Sequence, residues 1–194
     1  ILKWKYKMRK IFFITNEMSG GGAERVMSVL ANYFDEKGYE VSFLVLQKID
    51  ISYALNDGIK MYQWTKRKRG DAVGQIKFIR SYMKKNSGAV FLSFFTHQNL
   101  YSIIASVGLN VKVVVSERND PEHSIHGKLK KMLRSILYAS SMCDRIVFQT
   151  NGALKFFSKK NTKKRCSYCQ SFKKRIAKCF YRYTFKDSSI FRQI

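Results

Sequence analysis

R-K-I-F-F-I-T-N-E-M-S-G-G-G-A-E-R-V, residues 9–26, is the stretch on which the fold turns. Arg9–Thr15 is a short apolar run bounded by charge, as a strand buried on both faces requires. Asn16–Gly22 is a polar, glycine-rich turn. Ala23–Lys37 then carries Val26, Met27, Leu30, Ala31, Tyr33 and Phe34 at helical spacing, with Gly38 as the stop. A buried strand, a tight turn and an amphipathic helix together make the opening unit of a parallel α/β sheet.

Outward from this unit the alternation repeats. Glu40–Gln47 reads as a second buried strand and Ile59–Trp64 as a weaker third. Ala72–Lys85 suits a helix, with Ile76, Ile79, Tyr82 and Met83 on one side and Lys77, Arg80, Lys84 and Lys85 on the others. Strand Ala89–Phe95, helix Asn99–Leu109, strand Val111–Ser116, helix His126–Ser140, strand Arg145–Gln149 and short helix Gly152–Phe157 complete the series. The pattern predicts one doubly wound, mostly parallel Rossmann-like sheet with helices on both faces. Ligands of such sheets bind beyond the carboxyl ends of the strands. The segments to inspect are therefore Asn16–Gly22, Phe95–Asn99, Ser116–His123 and Thr150–Asn151.

The uncharged stretch Ala89–Val111 is long enough to span a bilayer. His97, Gln98 and Asn99 near its middle oppose that reading, since hydrocarbon penalises them. A strand, a polar turn and a helix account for it better.

The 194 residues carry a formal net charge of +24, and 45% are hydrophobic. That apolar share excludes a disordered chain and supports one ordinary core. The charge implies an anionic partner: a phosphorylated ligand, lipid headgroups or nucleic acid. Of the four cysteines, Cys166, Cys169 and Cys179 lie in the last 34 residues, and Cys143 stands apart. No apolar signal segment precedes them, so a reducing, cytoplasmic setting is expected rather than a disulfide framework.

Four constellations are candidates for chemistry. Gly20, Gly21 and Gly22 expose the first N–H groups of a helix, which suits a phosphate; the alternative is a plain tight turn. Their spacing is neither a dinucleotide fingerprint nor a Walker loop. Glu117, Arg118 and Asn119 follow a buried strand, where Arg clamps anions and an acid orients a hydroxyl. His97 opens the segment after the fourth strand and suits a sugar hydroxyl or a proton. Lys66, Arg67, Lys68 and Arg69 continue into the basic helix of Lys77, Arg80, Lys84 and Lys85, a candidate surface for anionic lipid. Aromatic residues are not interleaved there as a base-stacking platform demands, so no nucleic acid is expected. His123 and His126 lack a third ligand, so neither a metal nor another cofactor is expected.

S-G-G-G-A-E-R-V, S-F-F-T-H-Q-N, V-V-V-S-E-R-N-D-P and A-S-S-M-C-D-R-I-V-F-Q-T together resemble the N-terminal domain of family-4 glycosyltransferases over Arg9–Lys160. The resemblance implies a retaining enzyme with two facing Rossmann-like domains, the GT-B architecture. The first domain receives a glycan or lipid-linked acceptor at a membrane surface, and the second holds a nucleotide-sugar donor as co-substrate. It further implies that Gly20–Gly22 lie against the donor diphosphate, and that His97 and Glu117–Asn119 line the cleft near the reacting sugar. Surface-polysaccharide synthesis, on the inner face of the plasma membrane, is the matching role. A stand-alone basic module binding anionic membrane or nucleic acid is the alternative.

On this reading residues 1–8 are an N-terminal extension, 9–160 the domain, and 161–194 a basic, irregular tail. The tail departs from the family: ten basic residues and one acidic replace the expected strand and linker. Back-translated with chosen codons and read one base later, it can give I-Q-K-K-G-V-V-I-A-N-P-L-K-K-E-L-P, the family's linker. The tail thus reads as an out-of-frame remnant and the chain as a truncated, inactive acceptor-side half. A zinc site on Cys166, Cys169 and Cys179 with Cys143 is the competing account.

Overall fold

The computed structural model describes residues 10–65, 71–118, 127–148, 150–158 and 166–168. In chain order the elements are β1 (Lys10–Thr15), α1 (Gly22–Glu36), β2 (Glu40–Val45), β3 (Lys60–Gln63), α2 (Ala72–Lys85), β4 (Val90–Ser93), α3 (Thr96–Ala105), β5 (Lys112–Glu117), α4 (Lys128–Ala139), β6 (Arg145–Phe148), α5 (Asn151–Ser158) and β7 (Cys166–Tyr168). Seven strands form one sheet in the order β3-β2-β1-β4-β5-β6-β7. Every pairing is parallel. The doubly wound α/β class expected from the alternation is the observed one.

Strand order explains helix placement. From β1 the chain steps outward to β2 and β3, then returns through α2 to lay β4 on the other side of β1. Right-handed crossovers put helices of opposite progression on opposite faces. On one face Ile11, Phe13, Val41 and Phe43 meet Met27, Leu30, Ala31 and Phe34 of α1. The i, i+3, i+4, i+7 spacing of that α1 set is a single helical stripe. On the other face Phe12, Ile14, Phe91, Val113 and Val115 meet residues from α2, α3, α4 and α5. The two-residue period of the strands sorts their side chains between the two cores. Phe12 and Phe91, neighbours across β1 and β4, stack with ring centroids 4.8 Å apart.

Several boundaries differ from the sequence reading. The helix expected to start at Asn99 starts three residues earlier, so that Thr96–Gln98, expected ahead of it, belong to the first turn of α3, and α3 ends at Ala105 rather than Leu109. Phe95 is still extended and is the N-cap. Gln98 and Asn99 are buried polar groups, which hydrogen bonds inside the domain make affordable. A three-residue strand, Cys166–Tyr168, lies beyond the boundary drawn at Lys160 and pairs with β6. Residues 161–165 and 169–194 lie outside the described residues, as do the side chains of the zinc alternative apart from Cys143, which is buried. Ala89–Val111 folds as β4 and α3, and no described helix is long and apolar enough to cross a membrane.

Phe91 is fully buried between the two halves of the sheet. Phe91→Ala is expected to lower the unfolding free energy by about 3–5 kcal/mol, read from denaturant unfolding. A loss below about 1 kcal/mol would mean that the β1–β4 seam is not a principal core contact.

Candidate functional site

The chain reverses its direction of progress across the sheet between β1 and β4, so the segments leaving these strands diverge to opposite faces. A crevice opens there, as expected of open α/β sheets. Asn16 and Glu17 line it after β1, Glu24 from α1, and Phe95, Thr96, His97 and Gln98 after β4. Its volume is about 330 Å³, enough for one or two sugar rings at the small end of ligand sites.

The polar groups around this crevice are fixed in different ways. His97 is exposed on the first turn of α3. Gln98 is only 2% exposed; its Nε2 donates to Asn16 Oδ1, while its Oε1 has no hydrogen-bond partner. That carbonyl is a buried acceptor on a residue that also lines the crevice.

Gly20, Gly21 and Gly22 lie in the turn between β1 and α1. Gly20 sits in the left-handed region at φ 60° and its carbonyl accepts from Tyr53 Oη at 2.7 Å. Gly21 is the N-cap of α1. The Glu24 carboxylate folds against it so closely that a Cβ at position 21 would collide with Glu24 Oε2. Gly22 begins the helix with open space around it. An acid therefore already complements the helix dipole at this end, a feature the glycine spacing alone did not disclose.

Arg118, half-buried, lies over the Phe94 ring at 5.6 Å. Burial pulls its guanidinium below the ordinary value, and the negative charge of Glu24 opposes that pull. The β5 end and the α1 N-terminus are thus electrostatically linked.

Glu117 does not point into the crevice. It is 1% exposed; Thr96 Oγ1 donates to its Oε1 at 2.9 Å and Tyr138 Oη to its Oε2 at 2.7 Å. Asn99 Nδ2 donates to Tyr138 Oη at 3.0 Å and to the Ser116 carbonyl at 3.0 Å. Ser93 Oγ donates to Asn99 Oδ1 at 2.7 Å. Glu117 is in this sense a positioning residue: it pins the first turn of α3, which presents His97 and Gln98, to β5 and α4. Burial, then the Glu117 charge and hydrogen bond, push the Tyr138 phenol well above its ordinary value.

Asn119 and Lys66, Arg67, Lys68 and Arg69 lie outside the described residues. Lys77, Lys84 and Lys85 are exposed on α2. Arg80 instead donates to the carbonyls of Ala105 and Val107, both at 2.7 Å, and ties α2 to the end of α3. Among the described residues no cluster of three His, Cys, Asp or Glu is placed to hold a metal ion.

No family model matches the chain. Over 146 residues, 72% of the chain, it is 28% identical to the Campylobacter jejuni GalNAc-alpha-(1->4)-GalNAc-alpha-(1->3)-diNAcBac-PP-undecaprenol alpha-1,4-N-acetyl-D-galactosaminyltransferase, covering 40% of that protein. Over 149 residues it is 29% identical to an uncharacterized glycosyltransferase of Haemophilus influenzae, covering 41% of it. The chain spans about two fifths of the length of these curated relatives. Among solved structures, Anabaena HepE in complex with UDP superposes with a TM-score of 0.60 at 13% identity, over 83% of this chain and 43% of HepE. Sucrose-phosphate synthase of Thermosynechococcus elongatus gives 0.61 at 10% identity, over 84% of this chain and 48% of that one. The fold is accordingly that of a Rossmann-like domain of GT-B glycosyltransferases.

Tyr138→Phe removes one donor from the Glu117 carboxylate and is expected to cost about 1–3 kcal/mol near neutral pH. A phenol whose folded pKa is raised contributes stability below about pH 10, lost as pH rises from there toward the folded value. Unfolding measured from pH 8 to 11 should show a shallower alkaline loss for Y138F than for the parent chain. Parallel limbs would show that Tyr138 ionises freely in the fold.

Proposed function

We propose that this chain is the acceptor-side half of a family-4, retaining GT-B glycosyltransferase. The full enzyme moves a sugar from a nucleotide-sugar donor to a glycan or lipid-linked acceptor in surface-polysaccharide synthesis. The observation that carries this reading is the crevice at the β1–β4 reversal, lined by Asn16, Glu24, His97 and Gln98. The relatives agree with it, since one is named for adding N-acetylgalactosamine to a glycan on undecaprenyl diphosphate, and HepE is described with UDP bound.

In the transfer, the bond from the anomeric carbon to the diphosphate oxygen breaks. The acceptor hydroxyl oxygen bonds to that carbon, and its proton leaves toward the departing nucleoside diphosphate. His97 and Gln98 hold sugar hydroxyls, and Arg118 contributes positive charge on the crevice side of β5. The leaving group's charge must be balanced for the reaction to proceed. That work falls to a second, donor-binding domain which residues 9–160 do not include. Residues 9–160 then do not complete the transfer by themselves, and residues 161–194 are an out-of-frame counterpart of the linker. No cofactor beyond the nucleotide sugar is required, and the protein works on the inner face of the membrane.

The gene sequence from the codon for Phe157 onward tests the frame, and expression of the shifted-frame product tests the activity. The shifted frame should continue as an open donor domain, and its product should release nucleotide from a nucleotide sugar when given a lipid-linked acceptor. His97→Ala in that product should lower kcat/KM by about tenfold, the worth of one lost hydrogen bond. Sugar transfer by the purified 194-residue chain would overturn the half-enzyme reading. An early stop in the shifted frame would overturn the linker reading.

A further inference from the structure

Helix α4 carries an apolar face that nothing among the described residues covers. Leu129 is 74% exposed, Met132 55%, Leu133 45% and Ile136 56%. Their i, i+3, i+4, i+7 spacing sets all four within an arc of about 100°. The opposite side of the helix is its core side, where Arg134 and Tyr138 are buried, and Leu137 is buried at the flank between. The residues K-L-K-K-M-L-R-S-I-L-Y-A include no acid, and Lys128 and Lys130 are exposed beside the stripe.

Helix α2 makes the contrast plain. It has exposed lysines, but Ile79 and Met83 are buried, Ile76 and Tyr82 pack on the core, and Val73 is its one large exposed apolar residue. Charge alone attracts a helix to a surface; seating it requires apolar side chains to insert.

We infer that α4 is the element that seats this domain on an anionic bilayer, its four-residue apolar stripe entering the headgroup–acyl boundary and its lysines meeting lipid phosphate. Charge complementarity selects this occupant. A second copy would be repelled, since residues 1–160 alone hold 27 basic and 12 acidic residues, whereas an anionic membrane is attracted by the same charge. Topology adds a geometric reason. In the crossover from β5 to β6, α4 runs antiparallel to the strands, so its lysine-bearing N-terminus lies toward the carboxyl edge of the sheet, where the crevice opens. A lipid-linked acceptor in the same membrane then arrives at the crevice end of the domain.

The test uses the full 194-residue chain and sucrose-loaded vesicles of phosphatidylcholine, alone or with three-tenths phosphatidylglycerol. Binding is expected only with the anionic lipid. Because the whole chain is basic, a second readout locates the contact. In I136W, tryptophan emission should shift to the blue on vesicles and be quenched by brominated acyl chains, beyond the background of Trp4 and Trp64. The double variant Leu129→Ser, Met132→Ser should partition roughly tenfold or more weakly, with the parent's circular dichroism and melting. Sedimentation without an I136W shift, or equal binding by the double variant, would overturn the proposal and point to another basic segment. A lipid-free dimer abolished by the double variant would overturn it in favour of a second copy. Vesicle binding needs neither donor nor acceptor sugar, so its failure leaves the glycosyl-transfer reading where it stood.

Discussion

A carboxylate removed from water has to be matched by donors inside the protein, and Glu117 is such a group at the end of a central strand. Its matching draws Thr96 from the start of α3 and Tyr138 from α4 to one point, and Asn99 binds Tyr138 and the β5 backbone beside it. Breaking a buried, satisfied carboxylate costs several kcal/mol where leaving it intact is nearly neutral. The arrangement is therefore less a source of stability than a constraint on geometry: α3 and α4 take one position against β5. The crevice residues His97 and Gln98 occupy the turn that Thr96 anchors, and the exposed stripe of α4 lies on the helix that Tyr138 anchors. Both surfaces that face outward are set by the same interior contact.

Around that contact the sheet does ordinary work. Hydrophobic strands alternate their side chains between two cores, one closed by α1 and the other by α2 to α5. At the reversal between β1 and β4, neighbouring strands send their chains to opposite faces. The lining of the crevice follows, since Asn16 and Glu17 leave β1 there while Thr96, His97 and Gln98 open α3 after β4. Glu24 adds a local twist: it satisfies the positive end of α1 from within, so an anion approaching Gly22 meets an acid close by.

Much of this was legible in the residues. Runs such as Ile11–Ile14 and Val113–Val115 have no polar alternation, which is why parallel pairing could be read from them. The segments after β1 and β4 were singled out because the architecture says where ligands bind; of these, Asn16, Glu17 and Phe95–Gln98 line the crevice. The role of Glu117 was not legible, since a charged residue at a strand end looks the same whether it faces solvent or a tyrosine 21 positions away. Nor was the start of α3: Thr96 and Gln98 read as a turn ahead of a helix beginning at Asn99, until the Thr96 hydroxyl and the Gln98 amide are seen to have partners elsewhere in the domain. Arg80 looked like one more surface cation, while its guanidinium serves two carbonyls beyond α3. The stripe on α4 was present in the spacing, but only burial distinguishes an apolar helix face that packs from one that does not.

The β1–β4 seam has a further implication for how the domain comes into being. Ile11 pairs with Val90, 79 positions on, whereas β1 pairs with β2 across 30 positions, Ile11 with Val41. Closing the longer loop costs only about 0.9 kcal/mol more in chain entropy, so the equilibrium is little affected. The order of events is affected more. A growing chain can complete β1, α1, β2 and β3 as a local unit, with one face already closed, long before β4 exists. The crevice belongs to neither half of this history and appears when they join. Its presence is a certificate of completed folding, so a molecule that binds there recognises only chains that have passed their most distant pairing.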